Sequence, residues 1–129
     1  MDFYLNRDTV VDGCGQLSLP SASKLWFTPD GHWKEPGGYH NYPVSKLIEA
    51  ALMLENNGYQ IFNQYPILLN ASYVMLKYSF PDLTASAFGD TGRPRQSMEC
   101  LESAILMADK YQLPILPDLL NAAMILEQA

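Results

Sequence analysis

The sequence PILLNA at residues 66–71 returns at residues 117–122 as PDLLNA, with five of six positions identical. A second match relates IEAALM at residues 48–53 to LESAIL at residues 101–106, and Tyr59-Gln60 matches Tyr111-Gln112. The three spacings are 51, 53 and 52 positions. Because a fixed period of this length is typical of repeated supersecondary units, the sequence predicts two copies of a unit of about 52 residues.

The first unit reads as a helical hairpin. Apolar residues from Val44 to Leu52 recur at the spacing of a helix that buries one face, which predicts a helix over 44–57 with Ser45 as its N-cap and a stop at Asn57-Gly58. A second helix is predicted from Pro66 to residue 80. This second helix is apolar nearly all round, so we expect it to be an inner helix that other helices cover.

The second unit repeats this order, with helices predicted from Gln96 to Tyr111 and from Pro117 to the C-terminus. The fold class is therefore all-α. We expect one partial domain over 1–129: an irregular, loop-rich segment (1–43), a first hairpin (44–80), a loop (81–95) and a second hairpin (96–128). Stacked hairpins build an open solenoid or a closed toroid of inner and outer helices, and two hairpins complete neither.

Composition excludes several classes of function. The chain has 8 Lys and Arg against 14 Asp and Glu, and a net charge of −6 without a basic cluster argues against nucleic-acid binding. No apolar run approaches the roughly 20 residues of a membrane span, and the N-terminus lacks a signal-peptide pattern. Cys14 and Cys100 have neither zinc-site nor disulfide spacing, so we expect two free thiols, no metal and no cofactor.

The segment FTPDGHWKEPGGYHNYP at residues 27–43 could carry chemistry, because it holds both histidines, one of two tryptophans and two of eight tyrosines. Aromatic rings can stack on sugars, and His and Tyr can transfer protons. Asp30 and Glu35 could form an acid pair for glycoside hydrolysis, although Asp30-Gly31 is first a turn signal. For the other side chains structural alternatives stay open: His32 as a surface residue, Trp33 as a core plug, Tyr42 as a hydrophobic staple, Tyr39 and His40 as structural residues.

Residues 29–42 resemble the aromatic segment of the heparinase II/III-like and alginate-lyase polysaccharide lyases, which reads P-D-G, an aromatic residue, x-E, three residues, and Y-x-x-Y. FGDT at residues 88–91 is similar to the GDS-type loop that follows two helices later in that family. The resemblance covers about residues 27–112. It implies an (α/α) toroid, of which this chain would form an arc, followed by β-sandwich domains.

The resemblance implies β-elimination on a uronic acid within an acidic polysaccharide. It places the catalytic acid on Tyr39, which could also serve as the base, with Tyr42 as second choice. The phenol, whose usual pKa is about 10, would need nearby positive charge or hydrogen-bond donors to lose its proton. The substrate-binding residues expected on this basis are His40, Trp33, Arg93, Arg95 and Glu35.

The chain departs from the family in two ways. The Asn-His pair that neutralises the uronate carboxylate on an earlier helix is absent, and so is a further histidine from the β-sandwich. We therefore expect a fragment of a longer periplasmic or secreted lyase, lacking N-terminal toroid helices and the β-sandwich, with little activity alone. The alternatives are a non-catalytic helical-repeat interaction module and an α-toroid glycoside hydrolase.

Overall fold

The computed structural model describes residues 9–11, 14–16, 18–35, 37–85 and 94–128, and within these ranges the chain is mostly helical. Strands β1 (Thr9–Val11) and β2 (Cys14–Gln16) pair antiparallel. The helices are α1 (Leu19–Leu25), α2 (Asn41–Asn56), α3 (Ile61–Gln64), α4 (Pro66–Tyr73), α5 (Met98–Lys110) and α6 (Leu116–Gln128). A 3-10 helix, Gly37–His40, leads into α2, and another, Val74–Tyr78, extends α4. None of these helices is long and apolar enough to cross a membrane.

The all-α prediction is confirmed, and the four predicted helices correspond to α2, α4 with its 3-10 extension, α5 and α6. Helix α4 begins at Pro66, as predicted, because proline suits the first turn, where its missing N–H leaves no bond unmade. Helix α5 is preceded by Ser97, whose Oγ accepts the Cys100 N–H at 3.4 Å. The start of α4 was therefore predicted from its proline, whereas α5 begins at Met98, two residues after the predicted Gln96, because Ser97 caps it.

The segment 1–43 is more regular than expected where it is described. It contains the β1–β2 hairpin, α1 and the Gly37–His40 helix. These elements span only three to seven residues each, too short to show a hydrophobic period. The short helix α3, in the connection between α2 and α4, was missed for the same reason.

Ser45 is not the N-cap of α2. The helix begins at Asn41, and Ser45 lies inside it with its Oγ donating to the Tyr42 carbonyl oxygen at 3.0 Å. Pro43 falls in the first turn, where backbone N–H groups have no intrahelical partner, so the helix can begin before this proline.

Helix α5 is the centre of the fold, since it packs against α2, α4 and α6. The largest side chains of the core are almost completely buried, and they come from all of these helices and from α3: Ile48, Ile61, Leu68, Leu101 and Leu119. Helix α4 also packs against α2 and buries Leu68, Leu69, Ala71 and Ser72. Hydrophobic burial around α5 therefore joins the two hairpins into one core.

The sequence repeat is visible in the burial of the second helix of each hairpin. Leu68 and its counterpart Leu119 are both 0% exposed, and Ala71 and Ala122 are both buried. The next pair differs, because Leu69 is buried whereas Leu120 is 46% exposed. The two helices thus share an inward face, but α6 leaves open a side that α4 has covered.

The first helices of the hairpins also end alike. After α2, Tyr59 N–H donates to Leu54 O at 3.1 Å, and after α5, Leu113 N–H donates to Ala108 O at 2.8 Å. This is the Schellman bond, which needs a left-handed residue just before the donor. Gly58 (φ 86°) and Gln112 (φ 53°) take that conformation. They lie 54 positions apart, so Tyr59-Gln60 and Tyr111-Gln112 are not structural counterparts. The first connection is longer and contains α3.

Glu55, near the end of α2, ties the hairpins together. Its side chain is only 1% exposed, accepts the Phe62 N–H at 2.9 Å and the Tyr111 hydroxyl at 3.0 Å, and pairs with the Lys110 ammonium. Burial opposes ionisation, but these donors outweigh it and lower the pKa of Glu55. A buried, ionised carboxylate therefore joins α2, α3 and the end of α5.

Candidate functional site

The aromatic segment begins with a tight turn that is docked on α4. The Gly31 N–H donates to Thr28 O at 2.9 Å, and Thr28 N–H to His32 O at 2.8 Å. Gly31 has φ 96°, and a Cβ there would lie 2.8 Å from the Ala71 backbone nitrogen. Only glycine fits this conformation and this approach without displacement. The turn therefore holds Asp30 and His32 close to α4.

His40 is buried inside this arrangement, with 1% of its surface exposed. Its Nδ1 accepts the Trp33 N–H at 2.9 Å, so its Nε2 carries the proton and donates to the Ala71 carbonyl oxygen at 3.0 Å. Burial lowers the pKa of His40 to about 4, which keeps the ring neutral. Both ring nitrogens are used inside the protein, so His40 positions the segment and does not reach a ligand at the surface.

His32 is half-buried against His40, with the two ring centroids 4.9 Å apart. Its Nδ1 lies 2.6 Å from the Trp33 carbonyl oxygen, which can only accept, so Nδ1 is the protonated nitrogen. In the neutral ring Nε2 then carries a lone pair, and no hydrogen bond to Nε2 is formed within the described part of the chain. The Tyr78 ring makes a T-shaped contact with the His32 ring, with the two centroids 5.5 Å apart. His32 is thus a fixed tautomer with one available acceptor.

Asp30 is held as an anion. The Thr28 hydroxyl donates to Asp30 Oδ1 at 2.5 Å, and the Tyr78 hydroxyl donates to Oδ2. These two bonds, the Thr28 bond foremost, lower the pKa of Asp30 to about 2. In return, the bond to Asp30 raises the pKa of Tyr78. At neutral pH the pair is therefore a carboxylate and a protonated phenol.

Tyr39 and Tyr42, the predicted acid and its alternative, are accessible. Tyr39 lies in the Gly37–His40 helix with 49% of its surface exposed, and Tyr42 lies in the first turn of α2 with 76% exposed. Tyr39 directly precedes the buried His40, whose bonds hold this backbone. Two successive turns of the chain thus each carry an exposed tyrosine.

Arg95 is brought to the same end of α2. The Asn41 side-chain amide donates to the Arg95 carbonyl oxygen at 2.7 Å, and Arg95 forms a β-bridge with Thr84. The Arg95 side chain is exposed, and its charge helps to lower the pKa of Asp82, for which the Thr84 hydroxyl is the main cause. Arg93 and the 88–91 loop, also predicted at the site, lie outside the described residues.

Trp33 belongs to an aromatic cluster, and Glu35 is hydrogen-bonded to it. The Trp33 ring packs edge to face on Trp26 and Phe27, at centroid distances of 5.3 and 5.5 Å. Its Nε1 donates to the exposed Glu35 carboxylate at 3.1 Å. These contacts give Trp33 a structural role, which was one of the roles that the sequence left open. Ligand binding by Trp33 and Glu35 stays a prediction.

Sequence reasoning missed Tyr78 and Phe80, which are 54% and 53% exposed. Tyr78 joins Asp30 and His32 although it lies 48 positions from Asp30 in sequence. Phe80 sits in a turn closed by its N–H, which donates to Thr84 O at 2.7 Å. In the sequence these residues only marked the helix end before Pro81, and nothing local linked Tyr78 to Asp30.

Two features of the chain lie apart from this surface. A cavity of about 90 Å³ between α2 and α5 is lined by Ser45, Ile48 and Cys100, among others, and by none of the predicted site residues. Cys100 is a buried free thiol whose pKa is raised by burial, so it is not poised as a nucleophile. Within the described ranges no three His, Cys, Asp or Glu side chains are grouped so that they could hold a metal ion.

No protein-family model, curated protein or solved structure matches this chain.

Proposed function

We propose that the surface around Tyr39, Tyr42, His32 and Arg95 binds an acidic polysaccharide and belongs to a lyase that cleaves uronic-acid linkages by β-elimination. The observation that carries the proposal is the double anchoring of His40, on Trp33 N–H and Ala71 O, because it fixes the turn that exposes Tyr39. A general acid must be held at hydrogen-bond distance from its target, and a pinned turn meets that need better than a mobile loop.

The proposed reaction needs one proton acceptor and one donor. The C5–H bond of the uronate breaks, its electron pair forms the C4–C5 double bond, and the C4–O bond to the leaving sugar breaks. Tyr39 donates its phenolic proton to the leaving oxygen. The Nε2 of His32 is our candidate for the base, because its Nδ1–H is already committed to the Trp33 carbonyl oxygen and Nε2 is available. Arg95 is suited to hold the carboxylate.

The rest of the enzyme would come from a longer chain. Leu106 on α5 and Leu120 and Met124 on α6 are 58%, 46% and 55% exposed, and such side chains in a stacked-hairpin protein are normally covered by a neighbouring repeat. We propose that further toroid helices cover them and that a β-sandwich supplies missing catalytic partners. The isolated chain is accordingly expected to show little turnover.

Two alternatives make different predictions. A glycoside hydrolase that uses Asp30 and Glu35 needs one protonated carboxyl, and the lowered pKa of Asp30 leaves it ionised. Glu35 alone would then have to be the acid.

A non-catalytic interaction module is favoured by the same exposed apolar side chains of α5 and α6, which could bind a protein partner. In that case substitution of Tyr39 should have no functional effect.

The decisive experiment compares Tyr39→Phe with Tyr42→Phe in the complete protein. Each substitution removes only a phenolic hydroxyl from a solvent-exposed tyrosine, so Tyr42→Phe is the chemically matched control. We expect Tyr39→Phe to abolish formation of unsaturated uronate, measured by ultraviolet absorbance on heparin, heparan sulfate and alginate, while oligosaccharide binding is retained. Tyr42→Phe should keep most of the turnover. Full activity of Tyr39→Phe would remove Tyr39 from the chemistry.

A separate assay tests whether the chain is a fragment. The purified chain is incubated with the same three polymers, and we expect no product above background. Robust product from the chain alone would overturn this part of the proposal.

A further inference from the structure

We propose that Asp30 and Tyr78 are positioning residues that hold the His32 ring in the orientation and tautomer that the elimination needs. This inference rests on the proposed function, in which His32 Nε2 takes the C5 proton, and it adds two residues that act through His32. The argument depends on a closed cycle of four contacting residues, on the fixed position of Tyr78, and on the ring contacts of His32.

The contacts form a cycle that begins and ends at His32. The His32 backbone N–H donates to Thr28 Oγ1 at 3.0 Å, and the Thr28 hydroxyl donates to Asp30 Oδ1 at 2.5 Å. The Tyr78 hydroxyl donates to Asp30 Oδ2, and the Tyr78 ring stands at 86° to the His32 ring in a T-shaped contact. Each member of the cycle is therefore held by its two neighbours, and Asp30 acts on the His32 ring through Tyr78.

The Tyr78 side chain depends on Asp30 for its orientation. Its backbone is fixed, because Tyr78 ends the 3-10 helix that extends α4 and the Ser79 hydroxyl after it donates to Met75 O at 2.6 Å. The side chain, however, is 54% exposed, and an exposed aromatic side chain has more than one staggered rotamer available. The bond between its hydroxyl and Asp30 selects the rotamer that places the ring against His32.

The His32 ring contacts two other rings, those of Tyr78 and His40, at centroid distances of 5.5 and 4.9 Å. These contacts restrict the χ2 rotation that would carry His32 Nδ1 away from the Trp33 carbonyl oxygen, which lies 2.6 Å from it. Without that acceptor nothing keeps the proton on Nδ1, and in water a neutral histidine side chain favours the proton on Nε2. A protonated Nε2 has no lone pair and cannot act as a base. The contact with Tyr78 therefore keeps Nε2 available.

The test determines the tautomers of the chain at pH 7.5 by nuclear magnetic resonance of isotope-labelled histidine ring nitrogens. The sequence contains only His32 and His40, and we expect the proton on Nδ1 of His32 and on Nε2 of His40. Tyr78→Phe keeps the ring and removes the hydroxyl, so the fraction of the other His32 tautomer should rise about fivefold, the effect of one hydrogen bond. Asp30→Ala removes the acceptor of the same bond and should act similarly. Unchanged His40 signals verify that the segment is still docked.

Tyr73→Phe is the matched control, because its hydroxyl also donates to a side chain, Asn70 Oδ1, at 3.0 Å within α4. This variant should leave both histidines as in the wild type. In the complete protein, Tyr78→Phe should lower kcat about fivefold and leave KM unchanged, since the base is displaced and binding is not.

Two results would contradict the inference, and they differ in what else they exclude. A His32 that carries its proton on Nδ1 equally in the wild type and in Tyr78→Phe would overturn the positioning role and leave the proposed base standing. A wild-type His32 that carries its proton on Nε2 would overturn both the positioning role and the assignment of His32 as the base.

Discussion

Lowering the pH from 7.5 to 5 is expected to reduce the free energy of unfolding by about 2 kcal/mol through His40 alone. In the folded chain this ring is buried, neutral and bonded through both nitrogens. Protonation would place a charge in the core and turn the Nδ1 acceptor into a donor that faces the Trp33 N–H. The folded state therefore resists a proton that the unfolded chain binds readily.

The magnitude follows from two pKa values. The usual value for histidine is 6.5, and burial lowers that of His40 to about 4. Because one pKa unit corresponds to about 1.4 kcal/mol, the full effect is about 3 kcal/mol. The folded-state pKa is the lower one, so this stability is present above pH 6.5 and is lost as the pH falls toward 4. At pH 5 the unfolded ring is mostly charged and the folded ring mostly neutral, which gives the loss of about 2 kcal/mol.

Urea unfolding followed by circular dichroism at pH 7.5, 6.5, 5.5 and 5 measures this loss directly. Asp30 and Glu55, whose folded-state pKa values are lowered from usual values of 3.8 and 4.5, contribute mainly at lower pH. His40→Gln should be less stable than the wild type at pH 7.5 but should lose this pH dependence. His32→Gln leaves both His40 hydrogen bonds in place and serves as the control. If the wild type and His40→Gln lost stability in parallel between pH 7.5 and 5, the reasoning would be refuted.

Three further predictions concern packing. Leu119→Ala should lower the free energy of unfolding by about 2–5 kcal/mol because Leu119 is 0% exposed. Leu120→Ala, on the open side of α6, should change it by no more than about 0.5 kcal/mol. Similar urea midpoints for the two variants would contradict the orientation of α6. Gly31→Ala should lower the melting temperature more than Gly58→Ala, since both need a left-handed alanine but only Gly31 is crowded by α4; the reverse order would exclude that packing. Glu55→Gln should cost about 1–3 kcal/mol in urea unfolding, as bonds to a charged acceptor are lost; wild-type stability would show that the buried charge contributes nothing.

The long helices of the fold could be predicted because their signals are local. Apolar periodicity over 13 to 16 residues, Pro66 at a helix start and Gly58 after a helix end all act within a few neighbouring residues. Tyr59-Gln60 and Tyr111-Gln112 were predicted to be equivalent, and this prediction was wrong. The two pairs are identical in sequence, but the connections that follow α2 and α5 differ in length. The helix ends give the correct alignment of the two hairpins. However, Gln112 takes a backbone conformation typical of glycine, and its residue type does not predict this.

The candidate site was less predictable because it depends on contacts distant in the chain. His40 has the chemistry of a ligand contact, and only the docking of its segment on α4 shows that Ala71 and Trp33 use both nitrogens. Tyr78 joins the site for the same reason, since its hydroxyl meets Asp30 across 48 positions. Residue type predicted which part of the chain could be functional, whereas the tertiary packing decides which of its side chains are available.

The buried carboxylate of Glu55 has a consequence for how the chain unfolds. Repeat proteins commonly open one unit at a time, because each unit contacts only its neighbour. Here two of the partners of Glu55, Lys110 and Tyr111, lie 55 and 56 positions away, so separating the hairpins removes the cation and the hydroxyl and leaves the carboxylate with the Phe62 N–H alone. Amide hydrogens of α2 and α5 should therefore exchange with solvent in a single cooperative event.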